Sequence, residues 1–311
     1  MATGILLLMC IIAHATQGTD ELLANVNQHI HEGQHKKALK VLESGIAEDS
    51  ENYVLLLKRA EIYSLLNRDE DALSETKKVL KQNPECTPAL LLAAEIHTKH
   101  KELEYALALV ENAFEHYSDP STENALWALK GKILLHTGHL VNAEECLLIA
   151  SSSDKATLHT LCDLAKVFSK RDKMDEAIVV LESSIERFGL QMNTLLLAGT
   201  IQNKRGKYDD AINYLDLALT LDGENPTALA SLAEAYMYID DLATAETKLK
   251  KAIDSDENSA YAHKVYGDYL MLSKDNQGAC GEYNLAVENG YAEQHGQVEI
   301  LFLLTESCGL D

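Results

Sequence analysis

The tetrapeptide KKAL at residues 36–39 returns as EDAL at 70–73, EYAL at 104–107, VNAE at 141–144, DEAI at 175–178, DDAI at 209–212, ATAE at 243–246 and QGAC at 277–280. Its alanines are Ala38, Ala72, Ala106, Ala143, Ala177, Ala211, Ala245 and Ala279, so every interval is 34 residues except one of 37. A fixed period of this size marks an array of one supersecondary unit. Twelve positions before each alanine stands a second small residue: Val26, Ala60, Ala94, Gly131, Ala165, Gly199, Ala233 and Gly267. Small residues on two consecutive helices let the helix axes approach closely. Larger apolar residues recur around them at helical spacing, as in Leu229, Leu232, Tyr236, Leu249 and Ile253. Turn signals such as Glu32-Gly33, Asn67-Arg68-Asp69, Thr137-Gly138 and Arg205-Gly206-Lys207 fall between the helices. Each unit is therefore a helix, a tight turn and an antiparallel helix, and stacked neighbours supply the core that one hairpin cannot. The 37-residue interval predicts a longer loop around Ser118 to Ser121, between units three and four.

This pattern resembles the tetratricopeptide repeat family: period 34, small residues at the eighth and twentieth places, and Pro84 at the thirty-second. Copies begin near Thr19, Tyr53, Thr87, Asn124, Leu158, Met192, Pro226 and Ala260. Asn25 stands where an apolar residue is usual, and most copies lack the helix-end proline. The resemblance implies an all-α, right-handed α-α superhelix of eight helical hairpins over residues 19–291. Residues 292–311 are expected to form a capping helix, with Val298, Leu301 and Leu304 on one face and Ile300 and Leu303 beside it. A weak homo-oligomer through that apolar tail, which also carries Phe302, is a second reading of it.

The formal charge of -22 excludes a broad nucleic-acid footprint, because phosphates are held by Lys and Arg. Cysteines 10, 86, 146, 162, 280 and 308 include no C-x-x-C pair, so neither a zinc signature nor a disulfide framework is expected. Residues 1–18 read as an apolar leader. Ile5 to Ile12 is unbroken apolar sequence, and Ala13-His14-Ala15 has the small-x-small form of a signal-peptidase site. Against this, the first four residues carry no Lys or Arg. Export to a periplasmic or lumenal compartment is the expectation favoured over a cytoplasmic one. No transmembrane span is expected elsewhere.

His31-Glu32-Gly33-Gln34-His35 satisfies H-E-x-x-H, whose chemistry needs both imidazoles on one face of a continuous helix. The repeat register puts Gly33 in a turn, which breaks that face, and no third ligand is evident. A zinc hydrolase is therefore the minor alternative, and no metal, cofactor or catalytic residue is expected. No P-loop, G-x-G-x-x-G or G-x-S-x-G occurs.

In the family this chain resembles, the first helix of each hairpin lines the concave surface. Its ninth place reads Asn27, Glu61, Glu95, Lys132, Lys166, Thr200, Glu234 and Asp268, and its thirteenth includes Lys170 and Lys204. Lys132, Lys166, Lys170 and Lys204 are thus the expected grip on an acidic or carboxylate-bearing partner segment. The competing reading is that lysines near helix C-termini complement the helix dipole. Leu57 and Leu91, at the fifth place, are either apolar anchors for a ligand or packing against neighbouring helices. The carboxylate clamp of chaperone-tail receptors is not matched, since the only fifth-place lysine is Lys264, followed by Asp268. The expected function is a non-catalytic protein-protein interaction scaffold, with a structural, self-assembling repeat protein as the alternative.

Overall fold

The structure is a computed structural model that describes residues 18–117, 119–292 and 296–309. The leader expected at 1–18 lies outside the described residues, save Gly18, which is helical. Two compact units appear, Met1–Lys155 with hairpins one to four and Ala156–Asp311 with hairpins five to eight and a C-terminal helix. Helices alternate with short turns throughout: 18–31 and His35–Glu48, Tyr53–Leu65 and Asp69–Gln82, Thr87–Lys99 and Leu103–His116, Pro120–His136 and Leu140–Ser151 in the first unit. The second unit holds Leu158–Lys170 and Met174–Phe188, Met192–Lys204 and Tyr208–Leu221, Pro226–Tyr238 and Leu242–Ser255, Ala260–Leu272 and Asn276–Glu288, then Gln297–Cys308. Within each unit a first helix packs on its own second helix and on the first helix of the next hairpin. This is the all-α tetratricopeptide-type solenoid that the period predicts.

The eight motif alanines are all fully buried. The smallness of the preceding position has a direct steric cause where it is glycine. A Cβ at Gly131 would lie 2.5 Å from Leu147 Cγ, at Gly199 2.5 Å from Leu215 Cγ, and at Gly267 2.4 Å from the Tyr283 ring. The residue four places after the motif alanine thus seats on the bare backbone of the first helix.

All eight hairpins turn in one way. The fifteenth residue is left-handed in each, from Gly33 (φ 71°) and Asn67 (φ 55°) to Gly206 (φ 72°), Asp240 (φ 65°) and Lys274 (φ 64°). The next amide then reaches back to the carbonyl five residues earlier, as Lys207 N to Gln202 O at 2.9 Å and Asp275 N to Leu270 O at 2.9 Å. That bond satisfies a carbonyl the helix end would otherwise orphan.

Three sequence expectations are corrected. The extra residues near position 120 lengthen a helix instead of a loop: Pro120–His136 spans 17 residues where the first helices of hairpins two, three and five to eight span 13. Asp119 caps it, accepting from Ser121 N at 2.9 Å and Thr122 N at 3.0 Å, and Pro120 fills the first helical position, which needs no amide donor. Cys280 and Cys308 form a disulfide, with Cα atoms 5.1 Å apart, because the C-terminal helix folds back on the last hairpin. On that helix the inward face is Ile300, Leu303, Leu304 and Ser307, whereas Val298 and Leu301 point to solvent.

Candidate functional site

The first helices of hairpins five, six and seven enclose a cavity of about 380 Å³. Thr157 caps the first of these helices through Thr160 N at 3.2 Å, and Asn225 caps the third through Ala228 N at 3.0 Å. The second, fifth, sixth and ninth places of the first two helices line the cavity, together with the first place of the first helix and the second place of the third. They supply Leu158, His159, Cys162, Asp163 and Lys166 from the first helix, Asn193, Leu196, Leu197 and Thr200 from the second, and Thr227 from the third. Apolar walls with a few polar groups along them suit a chain segment that offers both side chains and backbone amides.

Lys166 is the one expected grip residue that lines this cavity. Its Nζ lies 2.9 Å from Asp163 Oδ1, one helical turn back, so its charge is partly met from within. Thr200 Oγ1 donates to Leu197 O at 2.9 Å and keeps its lone pairs for an incoming donor. Cys162 is buried beside Thr194, and burial pushes its thiol above the ordinary range, which suits a wall residue rather than a nucleophile. Lys170 and Lys204 lie one turn beyond, exposed, with no ion-pair partner among the described residues. Next to Lys204, Arg205 is bound by Asp175 and by Gln202 Oε1.

Lys132 belongs to the first unit. It is exposed and faces Glu95, whose carboxyl burial holds above the usual carboxylate range, the lysine offsetting only part of that. Leu57 and Leu91 are half-buried and packed against the cores of hairpins one to four, so neighbouring helices already use much of their surface.

Hairpins seven and eight line the same wall of the second unit differently. Glu234 Oε2 accepts from Tyr261 OH at 3.0 Å and Asn203 Nδ2 at 3.4 Å, while Asn203 also donates to Ser231 O at 2.8 Å. Lys264 Nζ lies 3.0 Å from Asp268 Oδ2 and 2.9 Å from Glu299 Oε1, and Tyr283 OH donates to Asp268 Oδ1 at 2.9 Å. Burial raises the Glu234 and Asp268 carboxyls above the usual carboxylate range. Burial also opposes the charge on Lys264, but Asp268 and Glu299 outweigh it and hold the ammonium above its ordinary value.

The H-E-x-x-H match is split as its register implies. The first helix ends at His31, Gly33 is left-handed, and the second helix begins at His35. Among the described residues no three His, Cys, Asp or Glu side chains are grouped to hold a metal, and no helix is long and apolar enough to cross a membrane.

Of the residues lining this cavity the sequence singled out Lys166 and passed over Asp163, His159, Asn193 and Thr227. The signal for Asp163 was there, since residues three apart on a helix are neighbours. The others required knowing which neighbouring hairpins leave a gap.

The tetratricopeptide repeat family model matches residues 29–96 and 203–269. A tetratricopeptide repeat and J domain-containing co-chaperone of Fusarium oxysporum is 24% identical over 254 residues, covering 81% of this chain and 43% of that protein. A TPR repeat-containing protein of Methanocaldococcus jannaschii is 26% identical over 280 residues, covering 89% and 42%. The chain therefore spans about two-fifths of the length of these relatives. Among solved structures, PilW, a type IV pilus biogenesis factor, superposes with a TM-score of 0.62 at 17% identity, over 70% of this chain and 99% of its own. Yeast Tom70 gives 0.55 at 15% identity, over 89% and 59%. At such identities the structures share the fold alone.

Proposed function

We propose that this chain, a tetratricopeptide repeat protein, is a non-catalytic scaffold that holds an extended acidic segment of a partner protein along hairpins five and six. The cavity between their first helices carries this reading, because its polar groups at His159, Asn193 and Thr200 lie beside apolar walls at Leu158, Leu196 and Leu197. Lys166, Lys170 and Lys204 supply positive charge at its side in a protein of net charge -22, which steers an acidic segment to this stretch. Lys132, Leu57 and Leu91 are secondary contacts in the first unit. Similarity to a co-chaperone accords with a polypeptide as the ligand.

The Cys280–Cys308 disulfide supports a periplasmic or lumenal location, since such bonds persist in oxidising compartments. Affinity capture with mass spectrometry, comparing the chain with Lys166→Glu/Lys170→Glu/Lys204→Glu, tests the scaffold reading. A partner captured by the parent and lost by the triple variant, at unchanged helicity, supports it. An unchanged partner set removes hairpins five and six from consideration.

Exposed Val298, Leu301 and Phe302 favour a second reading, self-association through the C-terminal helix. Solution mass with and without residues 297–308 tests it, and a monomer in both cases discards it.

A further inference from the structure

The C-terminal helix Gln297–Cys308 rests on hairpin eight through one face only. Ile300 and Ser307 are its only buried side chains among the described residues, with Leu303 and Leu304 half-buried beside Tyr283 and Tyr291. Glu299 adds one ion pair, to Lys264 at 2.9 Å. The opposite face, Val298, Leu301 and Phe302, is in solvent. A helix of 12 residues has little stability of its own. The connection from hairpin eight carries Gly290 at φ 87°, and Gly296 at φ 101° directly precedes the helix, so left-handed joints suited to glycine stand on both sides of the linker. The covalent tether is the disulfide to Cys280, in the second turn of Asn276–Glu288.

The remaining described cysteines do not compete for this role. Cys86, Cys146 and Cys162 are buried and unpaired, and burial raises the thiols of Cys146 and Cys162 away from the reactive thiolate. Cys280 and Cys308 are only half-buried, so a soluble thiol can reach them.

We propose that Cys280–Cys308 is a redox lock on the C-terminal helix, which stays docked over hairpin eight when the bond is formed and undocks when it is reduced. A dithiol reductant opens the lock by thiolate attack on one sulfur, giving a mixed disulfide and releasing the other cysteine as thiolate. The reductant's second thiol then closes its own disulfide and frees the remaining cysteine. Two electrons pass to the protein sulfurs and each takes up one proton. Undocking removes Glu299 from Lys264, leaves Asp268 as that ammonium's partner at 3.0 Å, and uncovers the Tyr283 and Tyr291 side of the last hairpin.

Hydrogen-deuterium exchange with mass spectrometry on the full chain tests this, oxidised and then reduced with a dithiol. Reduction is expected to speed exchange of residues 297–308 by about 10-fold or more, while hairpins one to four stay unchanged as the fold control. Cys280→Ser and Cys308→Ser are expected to reproduce the reduced pattern without reductant. Glu299→Gln should speed exchange further in the reduced chain and little in the oxidised one. Equal protection of 297–308 in oxidised and reduced protein would overturn the lock. So would alkylation of Cys280 and Cys308 in protein matured under oxidising conditions, whatever the serine variants do.

Discussion

Hairpins five and six and hairpins seven and eight use the same places of the same helix type, yet one pair leaves its wall open and the other closes it. In the open pair, Asn193 and His159 border a cavity and Lys166 is half-exposed over Asp163. In the closed pair, ninth-place Glu234 and Asp268 are held by Asn203, Tyr261, Lys264 and Tyr283, and the C-terminal helix adds Glu299. A repeat thus fixes where side chains project, and the identity of three or four of them decides whether the wall is filled by its own chain or stays open.

The largest way to break this contrast is to remove one lysine from each wall. The Lys264 side chain is 13% exposed between two carboxylates, so Lys264→Met is expected to cost about 3 kcal/mol or more by leaving buried charge uncompensated. The Lys166 side chain is 49% exposed, and Lys166→Met should move stability by no more than about 0.5 kcal/mol. Urea unfolding of the two variants decides it; equal losses would mean the walls are energetically alike.

Packing beneath the walls gives the next effect. Gly267→Ala drives a methyl into the Tyr283 ring and so disturbs the hydroxyl that serves Asp268, at an expected cost of about 1–3 kcal/mol. If steric overlap is the cause, Gly267→Ala should cost less in a Tyr283→Val background, measured as the difference in unfolding midpoint between the single and double variants.

A smaller effect concerns pH. The folded-state pKa values of Glu234 and Asp268 lie above their unfolded values, so the folded chain binds more protons between the two. Their contribution is fullest below the ordinary carboxylate range and is lost as pH rises through the elevated folded values. Glu234→Gln should flatten that part of the stability profile, measured as urea midpoints from about pH 4 to about pH 7. A slope unchanged by the variant would assign the profile to other groups.

The smallest prediction sharpens the comparison from the other side, because the turns should be interchangeable where the walls are not. Lys274 at φ 64° in hairpin eight occupies the conformation that Gly206 takes at φ 72° in hairpin six. Lys274→Gly is expected to stabilise by about 0.5 kcal/mol, and Gly206→Lys to destabilise by a similar amount, in thermal unfolding.

The hairpins were legible because helical periodicity and the two small places are local signals that recur. Residues around position 120 were read as a loop on the strength of spacing, although Asp119-Pro120 is a cap followed by a first-turn proline, which opens a helix. The disulfide could not be read, since nothing in the spacing of Cys280 and Cys308 shows that the last helix folds back. The apolar pattern put Val298, Leu301 and Leu304 on one face of the capping helix, but it does not say which edge of that face docks: Ile300 and Leu304 are turned inward and Val298 and Leu301 are in solvent. Lys166 stood out by its place in the repeat, but its neutralising partner Asp163 and the cavity beside it depend on side-chain packing that periodicity does not encode.

The bond between Cys280 and Cys308 also redirects mechanical load. A pull on the carboxyl end of the closed chain enters at Cys308 and passes through the sulfurs to Cys280, bypassing residues 281–307. Tension is then carried first by the helix Asn276–Glu288, whose neighbours must be peeled away before any of the bypassed segment can be drawn out. Once the sulfurs part, the same pull reaches the short terminal helix first, so the chain fails at a different place and over a longer extension.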